Sequence, residues 1–130
     1  MKILVGYDGS NAGKEALDVA KGHAKAMSAS VAIVFSMVKG TENEQDDMLQ
    51  AERNLDYAKS VFDQEKISCS THLLIRGMAP GEDIVMFAKE NQIDEIVIGV
   101  KRRSKVGKIL MGSTAQYVIL NAHCPVVSVK

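Results

Sequence analysis

Apolar residues along the chain form five short runs, separated by longer stretches in which apolar residues recur at helical spacing. The runs cover residues 2–7, 30–37, 67–75, 95–100 and 126–129. They are mostly continuous rather than alternating, which is typical of strands that are covered on both faces of a parallel sheet. The pattern therefore predicts five buried strands.

The stretches between the runs carry apolar residues three or four positions apart, as one face of an α-helix does. The first predicted helix starts at Ser10 or Asn11, either of which can act as its N-cap. Its expected buried face comprises Ala12, Ala16, Val19 or Ala20, His23 and Met27. The other helices are expected at about 44–65, after Pro80, and at about 113–121.

Strands and helices alternate along the whole chain, with no linker, repeat or low-complexity segment between them. This order predicts one α/β domain over residues 1–130, with a parallel sheet and helices on both of its faces. Ligands of such sheets bind at the carboxyl ends of the strands. If the first and fourth strands are neighbours, Asp8 and Gly99, which end them, face one crevice.

A basic segment bounded by glycines connects the fourth strand to the last helix. It begins at Gly99 and ends at Gly112, which Ser113 follows. Five cations fall within eight positions of it: Lys101, Arg102, Arg103, Lys105 and Lys108. Glycines allow backbone amides to approach an anion, and the first turn of a helix offers unpaired N–H groups. Chemistry alone allows two interpretations, a phosphate-binding loop and a solvated basic loop.

The bulk composition excludes several classes of function. The chain has 130 residues and a formal net charge of zero, from 16 basic and 16 acidic side chains, which argues against nucleic-acid binding. No apolar run approaches the roughly 20 residues that span a bilayer, so no membrane association is expected. Met1 and Lys2 lead directly into a strand, so we expect no signal peptide. Cys69 and Cys124 make no disulfide framework or zinc spacing, and we expect a cytoplasmic protein.

Common nucleotide and catalytic motifs fail when their spacing is checked. A P-loop ending at Gly107-Lys108 would need a glycine where Arg102 stands and a serine or threonine where Ile109 stands. The three histidines are far apart in the sequence, and no nucleophile has a base nearby. We therefore predict no catalytic residue and no metal site, and we interpret Ser10 and Ser113 as helix caps.

The glycine-bounded segment resembles the nucleotide loop of the universal stress protein family. ATP-binding members of that family carry the pattern Gly-x2-Gly-x9-Gly-Ser/Thr. This chain has Gly99, then Arg102 in place of the second glycine, and then Gly112-Ser113. Three further segments are similar to the family: 2–10, 76–80 and 119–129. The resemblance thus covers essentially the whole chain.

The resemblance implies a Rossmann-like fold of three layers, with a five-stranded parallel sheet in the order 3-2-1-4-5. It places Asp8 at the nucleoside side of the cleft and the backbone of Met37 against adenine. It assigns the phosphates to Gly99, Arg102, Gly112, Ser113 and Thr114. The arginine at position 102 either contacts phosphate through its guanidinium or obstructs the backbone approach that glycine allows.

For function, the resemblance implies a regulatory or stress-response module that binds ATP, with or without magnesium. It also implies a homodimer that meets at the terminal strand Val126–Val129, whose exposed edge would invite pairing with a second copy. Two alternatives stay open. One is a slow magnesium-dependent ATPase, and the other is a dimeric interaction domain of the same fold that binds no nucleotide.

Overall fold

The structure, a computed structural model, describes residues 1–38, 43–100 and 111–130. Its strands are β1 (Lys2–Gly6), β2 (Ser30–Ser36), β3 (Cys69–Leu74), β4 (Glu95–Gly99) and β5 (Val126–Val129). Its helices are α1 (Asn11–Met27), α2 (Glu44–Asp63), α3 (Pro80–Glu90) and α4 (Ser113–Asn121). Each strand boundary lies within two residues of its predicted position. Within the described ranges, no helix is long and apolar enough to cross a membrane.

The five strands are parallel and lie in the order β3-β2-β1-β4-β5, which confirms the predicted topology. The strand order reverses at β1, because the chain adds β2 and β3 on one side of it and β4 and β5 on the other. Gly6 at the end of β1 is in register with Val34 of β2 and with Ile98 of β4. The carboxyl ends of β1, β2 and β4 therefore lie side by side, at the place where ligands of open parallel sheets bind.

Two apolar clusters, one on each face of the sheet, form the core. On one face, Val5 of β1 belongs to a cluster with Leu17 of α1 and Phe62 of α2. On the other face, Leu4 belongs to a cluster with Ile84 of α3. Successive strand residues point to opposite faces, and helices cover both faces. This explains why the strands are continuous apolar runs rather than alternating ones.

The buried face of α1 differs from the prediction. Its buried residues are Gly13, Ala16, Leu17, Ala20 and Ala24. The expectation that His23 and Met27 belong to this face is wrong. The His23 Nδ1 atom lies 2.7 Å from Glu95 Oε1 at the margin of the helix, and Met27 is 40% exposed. A stripe of small residues lets α1 lie close to the sheet, and this close packing decides which face is buried.

The two cysteines are free thiols, as expected. Burial raises the pKa of the Cys69 thiol to about 11 and also raises the pKa of the Cys124 thiol. Because the thiolate is the reactive form, Cys69 is kept in its unreactive protonated form at neutral pH.

Candidate functional site

A cavity of about 170 Å³ opens at the carboxyl ends of β1, β2 and β4. The strand ends form one wall of it, and the first turns of α3 and α4 form another. The structure brings five of the predicted site residues together in its lining: Asp8, Gly99, Gly112, Ser113 and Thr114. They meet there because β1 and β4 are neighbours in the sheet. Arg102, the remaining predicted phosphate contact, lies outside the described residues.

The amino end of α4 borders this cavity with its backbone N–H groups. Gly112 is the N-cap and has no side chain that could accept a hydrogen bond from the first turn. In α1, by contrast, the Ser10 Oγ atom accepts a hydrogen bond of 3.0 Å from the Gly13 amide. The prediction that Ser10 is a cap is confirmed. The prediction for Ser113 is wrong, because Ser113 is the first helical residue. The first turn of α4 thus keeps N–H groups and the positive end of the helix dipole for a ligand.

Asp8 lies just after the end of β1, and its side chain is held by the turn that leads to α1. Its Oδ1 atom accepts a hydrogen bond of 3.0 Å from the Ser10 amide. Of the described residues that line the cavity, Asp8 is the one carboxylate. No cluster of three or more metal-ligating side chains occurs in the part of the chain that the structure describes. Magnesium is usually bound by one or two carboxylates together with phosphate oxygens, so this cavity suits the ion when a phosphate ligand supplies further oxygens.

Gly99 lies beneath the first turn of α1, where a side chain does not fit. A Cβ atom on Gly99 would come within 2.6 Å of the Ala12 carbonyl carbon and oxygen, and within 2.9 Å of the Gly13 amide nitrogen. Backbone packing inside the fold therefore explains glycine at this position, independently of any ligand contact. The spacing of the sequence motif does not separate these two causes.

The end of β2 contributes Ser36 to the cavity, whereas Met37 is not among the described residues that line it. Met37 is buried, and its amide donates a hydrogen bond of 2.9 Å to the Leu74 carbonyl oxygen. Because side chains alternate across a strand, Ser36 faces the same side as Val34, which also lines the cavity. Met37 is the next residue along the chain, so its side chain faces away from the cavity, whereas the side chain of Ser36 faces it.

Ser36 begins a chain of polar contacts behind the wall that α3 forms. Its Oγ atom donates a hydrogen bond of 2.9 Å to Oδ2 of Asp83, which is fully buried. Arg76 donates from Nε to Asp83 Oδ1 at 2.5 Å and from Nη2 to the Asp83 carbonyl oxygen at 3.2 Å. Its Nη1 atom donates to Glu90 Oε1 at 2.7 Å. The hydrogen bonds to Glu90 and Asp83 raise the pKa of the Arg76 guanidinium, so the group stays charged.

Sequence reasoning missed Ser36, Asp83 and Arg76 as a connected group. An acidic residue in the first turn of a helix is ordinarily explained by the helix dipole and not by a buried partner. One feature of the sequence does indicate that Asp83 is buried. It lies four positions before Phe87 and therefore on the apolar face of α3. A carboxylate on such a face has to be paired.

Several known proteins are similar to this chain over its whole length. The model of the universal stress protein family matches residues 1–130. A universal stress protein structure from Archaeoglobus fulgidus is 37% identical, with a TM-score of 0.92 over 100% of this chain and 98% of that chain. A structure of a universal stress protein from the same organism in complex with dAMP is 34% identical, with a TM-score of 0.86 and the same coverage. A universal stress protein of Methanocaldococcus jannaschii is 31% identical over an alignment of 140 positions, which covers 99% of this chain and 81% of the relative.

Proposed function

The chain belongs to the universal stress protein family, and we propose that residues 1–130 act as one regulatory domain that binds an adenine nucleotide. The observation that carries the proposal is the uncapped amino end of α4 at the point where the strand order reverses. The relative in complex with dAMP supports an adenine nucleotide rather than another anion. Occupancy would change the affinity for a protein partner in a stress response. The free thiols support a location in the reducing cytoplasm.

In the proposed complex the phosphates lie at α4 and the nucleoside lies toward β1 and β2. The residues proposed to surround the phosphates are Gly99, Arg102, Gly112, Ser113 and Thr114. Asp8 would face the ribose, and the backbone of Met37 would lie against adenine. The cavity of about 170 Å³ is smaller than the roughly 300–1,000 Å³ of most small-molecule sites. With ATP as the ligand, the outer phosphates would therefore extend past α4 and out of the cavity, where water could complete the coordination of a magnesium ion bound to them.

Replacing Gly112 by aspartate is expected to weaken the binding of AMP by about tenfold or more. Aspartate is a favourable N-cap, so its carboxylate would accept hydrogen bonds from the first turn of α4 and repel the phosphate. The variant should be no less stable than wild type, because Gly112 makes no side-chain cap that could be lost. Isothermal titration calorimetry with AMP and thermal unfolding measure the two effects.

Gly112→Asn is the matched control, because asparagine also caps a helix but adds no charge. The loss of AMP affinity should be larger for Gly112→Asp than for Gly112→Asn. The affinity for adenosine, which has no phosphate, should change by less than about threefold in both variants. If folded Gly112→Asp protein binds AMP as tightly as wild type, the phosphate does not lie at α4.

We also propose a homodimer that pairs the terminal strands of two copies. Strand β5 lies at the edge of the sheet and pairs with β4 alone among the described strands. Beside it, α4 exposes Tyr117, Ile119 and Leu120, the last of which is 74% exposed. An edge strand next to exposed apolar side chains favours pairing with an identical edge around a two-fold axis.

Ser128→Pro is expected to convert this dimer to a monomer. The amides of Ile96 and Val100 donate to the carbonyl oxygens of Pro125 and Val129, so the odd-numbered residues of β5 direct their backbone polar groups toward β4. Ser128 is even-numbered, so its N–H group points to the outer edge of the sheet. Proline removes that donor and keeps the pairing with β4. Light scattering should show a monomer for Ser128→Pro and a dimer for Ser128→Ala. A dimer in both variants would exclude β5 from the interface.

A further inference from the structure

We propose that Ser36 is a specificity-determining residue of the cavity, which favours a purine with an amino group at carbon 6 over one with a carbonyl oxygen there. The inference rests on the proposed nucleotide function and adds to it a side chain that distinguishes between bases. It follows from the single hydrogen of the Ser36 hydroxyl and from the buried carboxylate of Asp83 that accepts it.

The structure commits the Ser36 hydrogen to Asp83. The Ser36 Oγ atom lies 2.9 Å from Asp83 Oδ2, and a carboxylate accepts hydrogen bonds without donating them. The Arg76 Nε atom donates to the other oxygen of the same carboxylate, so Asp83 is the acceptor in both contacts. A serine hydroxyl has one hydrogen and two lone pairs. Ser36 therefore presents an acceptor, and not a donor, to a ligand in the cavity.

Ser36 lies at the end of the cavity that is remote from the proposed phosphates. Strand β1 separates β2 from β4, so the ends of β2 and β4 are two strand spacings apart, roughly 10 Å. With the phosphates at α4, the base at the other end of a nucleotide falls near β2. Val34, Pro80 and Ile84 also line the cavity and can cover the faces of a purine ring. Ser36 is then left for the polar edge of the base.

An amino group at carbon 6 can donate a hydrogen bond to the Ser36 oxygen, whereas a carbonyl oxygen would face it with lone pair against lone pair. Ser36 could donate to that carbonyl only by turning its hydrogen away from Asp83. The buried Oδ2 atom would then lose the one hydrogen bond that Ser36 supplies to it. Leaving a buried charged group short of a partner is costly, so a base with a carbonyl oxygen is disfavoured in either orientation.

Isothermal titration calorimetry with three monophosphates that differ at carbon 6 tests this assignment. AMP carries an amino group there, purine riboside 5′-monophosphate a hydrogen, and inosine 5′-monophosphate (IMP) a carbonyl oxygen. Wild type should bind AMP about tenfold or more tightly than IMP, with the purine riboside between them. Ser36→Ala should lower the affinity for AMP to that for the purine riboside and bring AMP and IMP within about threefold. Ser36→Thr keeps the hydroxyl and should keep the wild-type ratio.

Asp83→Asn distinguishes a positioning role of Asp83 from a structural one. Arg76 donates to the atom at the Oδ1 position, so the asparagine oxygen should occupy that position and its NH2 group should face Ser36. The Ser36 hydrogen is then free to be donated to a ligand carbonyl. The AMP-to-IMP ratio should therefore shift toward IMP by about tenfold. A cavity wall that is merely loosened would weaken all three ligands alike, and that result would refute the positioning role.

The same titrations distinguish an error in the role of Ser36 from an error in the proposed nucleotide function. An AMP-to-IMP ratio that is the same in wild type and in Ser36→Ala, with AMP still bound, would overturn the assignment of Ser36 and leave the nucleotide site standing. If wild type binds none of the three monophosphates, the proposed function fails, and the inference fails with it.

Discussion

The Gly99→Ala variant is expected to lose about 3 kcal/mol of unfolding free energy, because one added methyl group would collide with the backbone. The new Cβ atom would come within 2.6 Å of the Ala12 carbonyl carbon and oxygen. These atoms belong to the first turn of α1, which the Ser10 cap holds in place, so they cannot rotate away as a side chain would. Either α1 or β4 has to shift, and overpacking of this kind costs roughly 1–3 kcal/mol and occasionally more.

Gly22→Ala is the matched control, because it adds the same methyl group to a glycine with open space around it. Gly22 is exposed on α1, and in the described part of the structure no atom outside the local helix backbone lies within 4 Å of its added Cβ. Alanine is favoured over glycine inside a helix, so a gain of about 0.5–1 kcal/mol is expected. Urea denaturation measures both changes. If Gly99→Ala is as stable as wild type, α1 can move off the sheet without cost, and the glycine requires another explanation.

Most of the fold could be predicted from the period of the apolar pattern. Strands β1 and β4 are buried on both faces, so their continuous apolar runs are strong signals. The buried face of α1 could not be found in this way. Gly13 and Ala24 belong to it because they are small, whereas the more hydrophobic Met27 lies outside the contact. How closely a helix can approach a sheet is a property of the assembled fold and not of the local sequence.

The sequence predicted which residues would line the cavity at the end of β1 and the start of α4, but not which residue would line it at the end of β2. Topology alone brings the end of β1, with Asp8, to the start of α4, with Gly112. Ser36 depends instead on which face of β2 its side chain takes, and one position separates it from the predicted Met37. Its partner Asp83 lies 47 positions further along the chain. No sequence pattern in one chain links a serine on a strand to a carboxylate at that separation.

The Arg76→Met variant is expected to lose about 2–3 kcal/mol of unfolding free energy, because it leaves the Asp83 carboxylate buried without its cation. Asp83 is fully buried, and Arg76 donates to both its side chain and its carbonyl oxygen. Removing one partner of a fully buried ion pair costs roughly 3–5 kcal/mol. The expected loss is smaller here, because the Arg76 side chain is 31% exposed and water can reach the vacated position.

Glu90→Gln removes only the exposed ion pair between Arg76 and Glu90 and leaves the buried pair between Arg76 and Asp83 in place. The Glu90 side chain is 50% exposed, so this variant should stay within about 0.5 kcal/mol of wild type in urea denaturation. Combining Arg76→Met with Asp83→Leu should restore stability relative to Arg76→Met alone, because the desolvation cost disappears together with the attraction. Equal stability of Arg76→Met and Glu90→Gln would contradict the importance of the buried pair.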